Sequence, residues 1–99
     1  MQLADIWREH VAAGCPSELE GIEIAGSDAR ALDAEITACV SAMVCCRLIV
    51  DERIVRRLTE ILVAVADKQA HEDEHVAAYC ARLNRLLGAM LTEARASRT

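Results

Sequence analysis

Ninety-nine residues make one domain, at about the size where a single core buries roughly two thirds of the unfolded surface, so two domains are excluded. A composition that is 54% hydrophobic and 27% charged excludes disorder, and with no Phe, one Trp and one Tyr the core has to be aliphatic. A net charge of −5 argues against general affinity for nucleic acid or anionic membranes.

Residues 2–13 place Leu3, Ile6, Trp7, His10 and Val11 on one side and then meet Gly14-Cys15-Pro16, the stop of a short amphipathic helix. Glycines 21 and 26 extend that punctuation, so residues 14–27 read as a loop. Within it, Ser17 to Gly26 mixes carboxylates with Leu19, Ile22 and Ile24, which fits either a packed connector or one short extended piece. From Ser27 to Leu87 no Gly or Pro interrupts the chain, and apolar residues recur at helical rather than alternating spacing, so helices are expected and strands are not.

Ser27-Asp28 supplies an N-cap and first-turn carboxylate for a helix over 28–47, whose Leu32, Ile36, Cys39, Val40, Met43 and Cys46 fall in one arc of about 120°. Asp51 looks like the cap of a third helix over 52–67, with Ile54, Val55, Leu58, Ile61, Leu62 and Val65 as its stripe. No Gly or Pro stands near residue 48, so helices two and three could also run as one bent rod. The acidic cluster Glu72-Asp73-Glu74 opens a fourth helix over 72–95, where carboxylates oppose the positive end of the backbone dipole. Its stripe is Val76, Tyr79, Cys80, Leu83, Leu86, Leu87, Met90, Leu91 and Ala94. Gly88 interrupts it at ~1 kcal/mol relative to Ala and suggests close helix packing there.

His71-Glu72-Asp73-Glu74-His75 spells H-E-x-x-H, in which two His on one helix face hold zinc and the Glu activates water. A hydrolase needs a third ligand as well, and if the acidic cluster starts the helix, His71 lies at or before the cap. Glu72 and His75 are also half of the carboxylate and histidine set that helical bundles use for two metals, but Glu35 sits at the edge of its stripe and Asp33 outside it. His71, Glu72 and His75 are therefore metal candidates only, with a solvated helix start as the plainer reading, and no cofactor is expected.

Five cysteines, odd in number and irregularly spaced, show no paired zinc spacing. Asp5, Arg8, Glu9 and His10 occupy what would be the apolar core of a secretory leader, so a reduced, cytoplasmic protein is expected. Cys39, Cys46 and Cys80 lie on stripes and read as small hydrophobes, whereas Cys45 turns outward beside Arg47. His10, next to Trp7 on its stripe, reads as packed. The longest uncharged run, Ile36 to Cys46, has eleven residues against the ~20 of a membrane-spanning helix. Arg47, Arg53, Arg56 and Arg57 form a local basic cluster that could grip an acidic partner or a nucleic-acid backbone, but no aromatic interleaves it and the rest of the chain repels phosphate, so an ordinary solvated face is the plainer reading.

The segments Leu19 to Ile24, Leu32-Asp33-Ala34-Glu35-Ile36 with Cys39-Val40-Ser41, and Tyr79 with Arg82-Leu83 resemble a scattered signature of small uncharacterised bacterial helical proteins. The resemblance covers about a third of the chain. Such proteins carry a Gly-containing turn before the residue matching Asp51, which this chain lacks, and the resemblance implies no activity or site.

Three long helices with wide apolar stripes offer more greasy area than one small core encloses readily, and Leu32, Ile36, Cys39, Met43, Cys46 and Val50 alternate spacings of four and three. The expected protein is therefore an all-α bundle of three to four helices completed by homodimerisation, with Leu32, Ile36, Met43 and Val50 at the dimer interface. It is expected to act without catalysis, regulating or inhibiting a partner protein through Trp7, Val44, Leu48, Arg53, Arg56 and Arg57, with Trp7 as the best anchor; the alternatives are a metal-binding helical assembly using Glu72 and His75, or a nucleic-acid-associated regulator.

Overall fold

Three aspartates start three of the helices. The computed structural model describes residues 3–45 and 51–97, and the helices are α1 (Leu3–Ala13), α2 (Ala29–Cys45), α3 (Glu52–Lys68) and α4 (Glu74–Ser97). Asp28 Oδ2 accepts from Ala31 N at 3.2 Å, Asp51 Oδ1 from Ile54 N at 2.9 Å, and Asp73 Oδ1 from His75 N at 2.8 Å. Each bond satisfies an amide that the first helical turn leaves without an intrahelical acceptor. The fourth helix thus begins two residues later than its acidic cluster suggests, because Asp73 is the cap rather than part of the first turn.

Asp51 has extended backbone, φ −81° and ψ 174°, so α2 and α3 are two helices rather than one rod. Cys46, Arg47, Leu48 and Val50 lie outside the described residues. At the other end of the chain, α1 stops where Gly14, at φ +73°, donates its amide to the carbonyls of His10 and Val11. A left-handed residue turns the chain out of a helix, and Gly adopts that conformation without a Cβ clash.

The segment after α1 contains both structures that its sequence left open. Ser17–Leu19 is one 3₁₀ turn with Leu19 fully buried, and Glu23–Ile24 (β1) pairs antiparallel with Ser27–Asp28 (β2). Ala25 and Gly26 at the tip have φ +53° and +78°, the double left-handed geometry of a tight hairpin turn. Strand pairing therefore reaches Ser27 and Asp28, just inside the stretch expected to be strand-free, because the hairpin feeds its second strand directly into α2.

Helix α4 is the central element, packed against α3 and α1, while α2 rests on α1 and on the hairpin. All nine residues of its expected stripe are buried, from Val76 to Ala94. At about 1.5–3 kcal/mol per large apolar side chain, this helix supplies the greatest single share of core burial. Leu58, Ile61 and Val65 of α3, and Leu32, Ile36 and Val40 of α2, complete the cluster. A Cβ at Gly88 would meet nothing within 4 Å, so that glycine does not mark a close helix crossing.

Among the described residues only Val11 and Val63 are large hydrophobics with high exposure, at 57% and 60%. The surplus of apolar surface expected from the stripes is thus smaller than the helical wheels suggest, because α4 is wrapped on two sides by its own chain. No helix among the described residues is long and apolar enough to cross a membrane.

Candidate functional site

Two features stand apart from an ordinary helical core, and α2 carries both. The first is a groove between α2 and α3. Ile36, Ala38, Cys39 and Ala42 form one wall, and Ile54, Leu58 and Ile61 form the other. Four charged residues, Glu35, Asp51, Arg53 and Arg57, stand at its rim, and the cavity measures about 620 Å3. Its walls arise from helical spacing: positions 35, 38, 39 and 42, and 54, 58 and 61, each recur on one helix face.

The second feature is a polar cluster inside the junction of α1, α2 and α4. Asp33 Oδ1 lies 2.7 Å from His10 Nε2 and accepts the Tyr79 hydroxyl at 2.6 Å. His10 is only 5% exposed and Tyr79 is fully buried. Burial by itself raises the pKa of Asp33, but the hydrogen bonds to His10 and Tyr79 outweigh it and hold the carboxyl below its ordinary range. An ionised carboxylate only accepts, so Nε2 is the protonated nitrogen of His10. Burial, reinforced by the Asp33 hydrogen bond, pushes the Tyr79 phenol far above its usual range, so its hydroxyl stays a donor.

One carboxylate oxygen therefore clamps three helices. The His10 and Tyr79 rings also lie 5.6 Å apart, and the Arg82 guanidinium sits 5.9 Å over the Tyr79 ring. Arg82 Nη2 reaches the Gly14 carbonyl at 3.5 Å, tying α4 to the end of α1. Trp7 Nε1, His10 Nδ1 and Arg82 Nε are buried without a hydrogen-bond partner among the described residues.

The basic cluster does not act as one patch. Arg57 is half-buried and engaged within the chain, to Ser27 Oγ at 3.3 Å, Glu35 at 3.6 Å and Glu60 at 3.8 Å, so it ties α3 to the hairpin and α2. Arg53 and Arg56 are exposed, Arg53 on the groove rim and Arg56 beside Val63 on the outer face of α3. Trp7 and Val44 are half-buried against the core, which leaves Trp7 only part of its ring for a partner.

The expected dimer residues divide as well. Leu32 and Ile36 are 0% and 1% exposed, Leu32 inside the core of its own chain and Ile36 at the base of the groove. Met43 is half-buried, and Val50, like Leu48, lies outside the described residues. His71 Nδ1 accepts the Asp73 amide at 3.1 Å before the helix begins, whereas His75 faces Glu18 at 4.0 Å, so the two imidazoles serve different neighbours. Glu72 is exposed, and among the described residues no three His, Cys, Asp or Glu converge as a metal-ligand set.

The thiols are scattered. Burial and the Asp33 charge push the Cys15 thiol up, burial and Glu35 do the same for Cys39, and burial raises Cys80. Cys45 is exposed, as its position on the helical wheel predicts.

Asp33 escaped the sequence reading because it lies off its apolar stripe, and a stripe analysis discards such positions. The available signal was the pair of polar residues, His10 and Tyr79, on otherwise apolar faces, since buried donors demand an acceptor. No family model matches this chain, and neither the curated proteins nor the solved structures yield a match.

Proposed function

We propose that this chain is a non-catalytic protein–protein interaction module, a small helical homodimer that regulates or inhibits a partner protein by occupying part of its surface. The observation that carries this reading is the open α2–α3 groove, with apolar walls and charges confined to its rim. Contiguous apolar concavities edged by polar residues are the usual receptacles for a helix or apolar segment of another polypeptide. The polar clamp supports the same reading from the other side. Its donors and acceptor close on one another inside the core, which fixes how α1, α2 and α4 meet and so holds one wall of the groove in place.

A photo-crosslinking residue at Ala42, introduced in the native host, tests the proposal. Polypeptide adducts are expected from Ala42 and far fewer from the same residue at exposed Arg95 on α4. Equal or absent labelling at Ala42 would remove the groove, and with it this function.

A further inference from the structure

We infer that the groove receives a second copy of this chain, its α2 lying antiparallel in the groove across a two-fold axis near Ala38 and Ala42. The inference rests on the interaction reading above: it assigns the groove to the homodimer contact of that reading, so that a regulated partner would meet surfaces outside the groove.

The first argument is the chemistry of the walls. They hold no aromatic residue: Tyr79 is fully buried elsewhere and Trp7 belongs to α1. Unrelated partners are usually held by aromatic or arginine anchors seated in pockets. The α2 wall instead offers Ala38, Cys39 and Ala42, small side chains that let two helix axes approach to about 8 Å.

The second argument is supply. An occupant has to present a helical strip free of charge, and this chain has one on its own surface. From Ile36 to Cys45 no residue is charged, yet Ala38 and Cys45 are exposed and Thr37, Cys39, Ser41, Ala42, Met43 and Val44 are half-exposed. Ten residues of helix make a strip about 15 Å long. A solvated helix face of that length without a single charge is unusual unless something covers it.

The third argument is charge. Glu35 and Arg57, 3.6 Å apart, stand at one end of the groove, while Asp51 and Arg53 begin α3 at the other. Each end thus carries one acid and one base. Rotation by 180° exchanges the ends, placing Glu35 against Arg53 of the second copy and Arg57 against its Asp51, the reciprocal pairing a two-fold interface requires. An acidic or basic partner would meet a like charge at both ends. Arg53 is exposed and makes no ion pair among the described residues.

Sedimentation equilibrium of the purified chain in reducing buffer, up to about 100 µM, tests the inference; reduction keeps exposed Cys15 and Cys45 from cross-linking copies. The expected species has twice the 10.8 kDa chain mass. Ala38→Arg, at an exposed helical position, is expected to give a folded monomer whose thermal melt no longer depends on protein concentration. Arg53→Glu should weaken the dimer about tenfold, and adding Glu35→Arg should restore it to within about threefold. A dimer indifferent to Ala38→Arg and to the charge exchange overturns the inference, because its interface lies elsewhere. So does a monomer at every concentration. If that monomer still yields adducts at Ala42 with a different protein, the interaction reading stands and only the second copy is wrong; without adducts, both fall.

Discussion

The two halves of α2 face opposite circumstances. In its first half Ala29, Leu32 and Ile36 are buried and Asp33 is locked to His10 and Tyr79. In its second half Val40 alone is buried, and Cys39, Met43 and Val44 remain half-covered beside the groove. The same helical period runs through both halves. What differs is the chain packed against them: α1 and the hairpin lie on α2 and Tyr79 of α4 reaches Asp33 in the first, while the second borders the groove. A helix can thus be a core element at one end and half-exposed at the other.

Truncations at the two ends should break or establish this contrast. Leu32→Ala, in the closed half, is expected to cost about 3 kcal/mol in urea unfolding through lost burial and an unfilled cavity, whereas Met43→Ala should cost about 1 kcal/mol because much of its surface already meets solvent. Equal costs would mean that the two halves are equally enclosed.

Asp33→Ala should cost about 2–3 kcal/mol, since it strands the His10 and Tyr79 donors in the core. The acid limb of the stability profile follows from the same group. The folded carboxyl titrates below its unfolded range, so its contribution is complete above the ordinary carboxylate pKa and is lost as pH falls through the lower, folded value. Asp33→Asn is therefore expected to flatten the stability loss below about pH 4 relative to the parent chain. An unchanged acid limb would show that the clamp carries no charge-linked stability.

Gly88→Ala should stabilise the chain by about 1 kcal/mol, because a helical glycine with open space around its Cβ has only the entropic penalty to lose. The smallest effect belongs to the hairpin under α2: Ala25→Gly relieves a left-handed alanine and should add a few tenths of a kcal/mol, about 0.5 at most. A loss there would show that the methyl group, packed against the core, outweighs the backbone strain.

Much of the fold was legible because helical periodicity and caps are local. The stripe of α4 was correct at every position from Val76 to Ala94, and Asp51 was recognisable as a cap from its placement before an apolar repeat, whereas Asp28 is itself the cap of α2 rather than a carboxylate in its first turn. The burial of Leu32 and Ile36 within their own chain was not legible, since a wheel shows that a face is apolar without showing what covers it. Arg57 misled for a related reason: sequence proximity to Arg53 and Arg56 suggested a patch, yet its partners Glu35 and Ser27 are distant in sequence.

By itself, then, the sequence determined the all-helical class, the helix boundaries to within a few residues and the residues of the central stripe, because these depend on spacing and on hydrogen bonds only a few positions apart. Only the tertiary structure decided that Asp33 would join His10 and Tyr79 from three helices, and that α2 and α3 would leave a groove between them. Both depend on the relative placement of helices far apart along the chain, which follows from how whole faces fill space against one another.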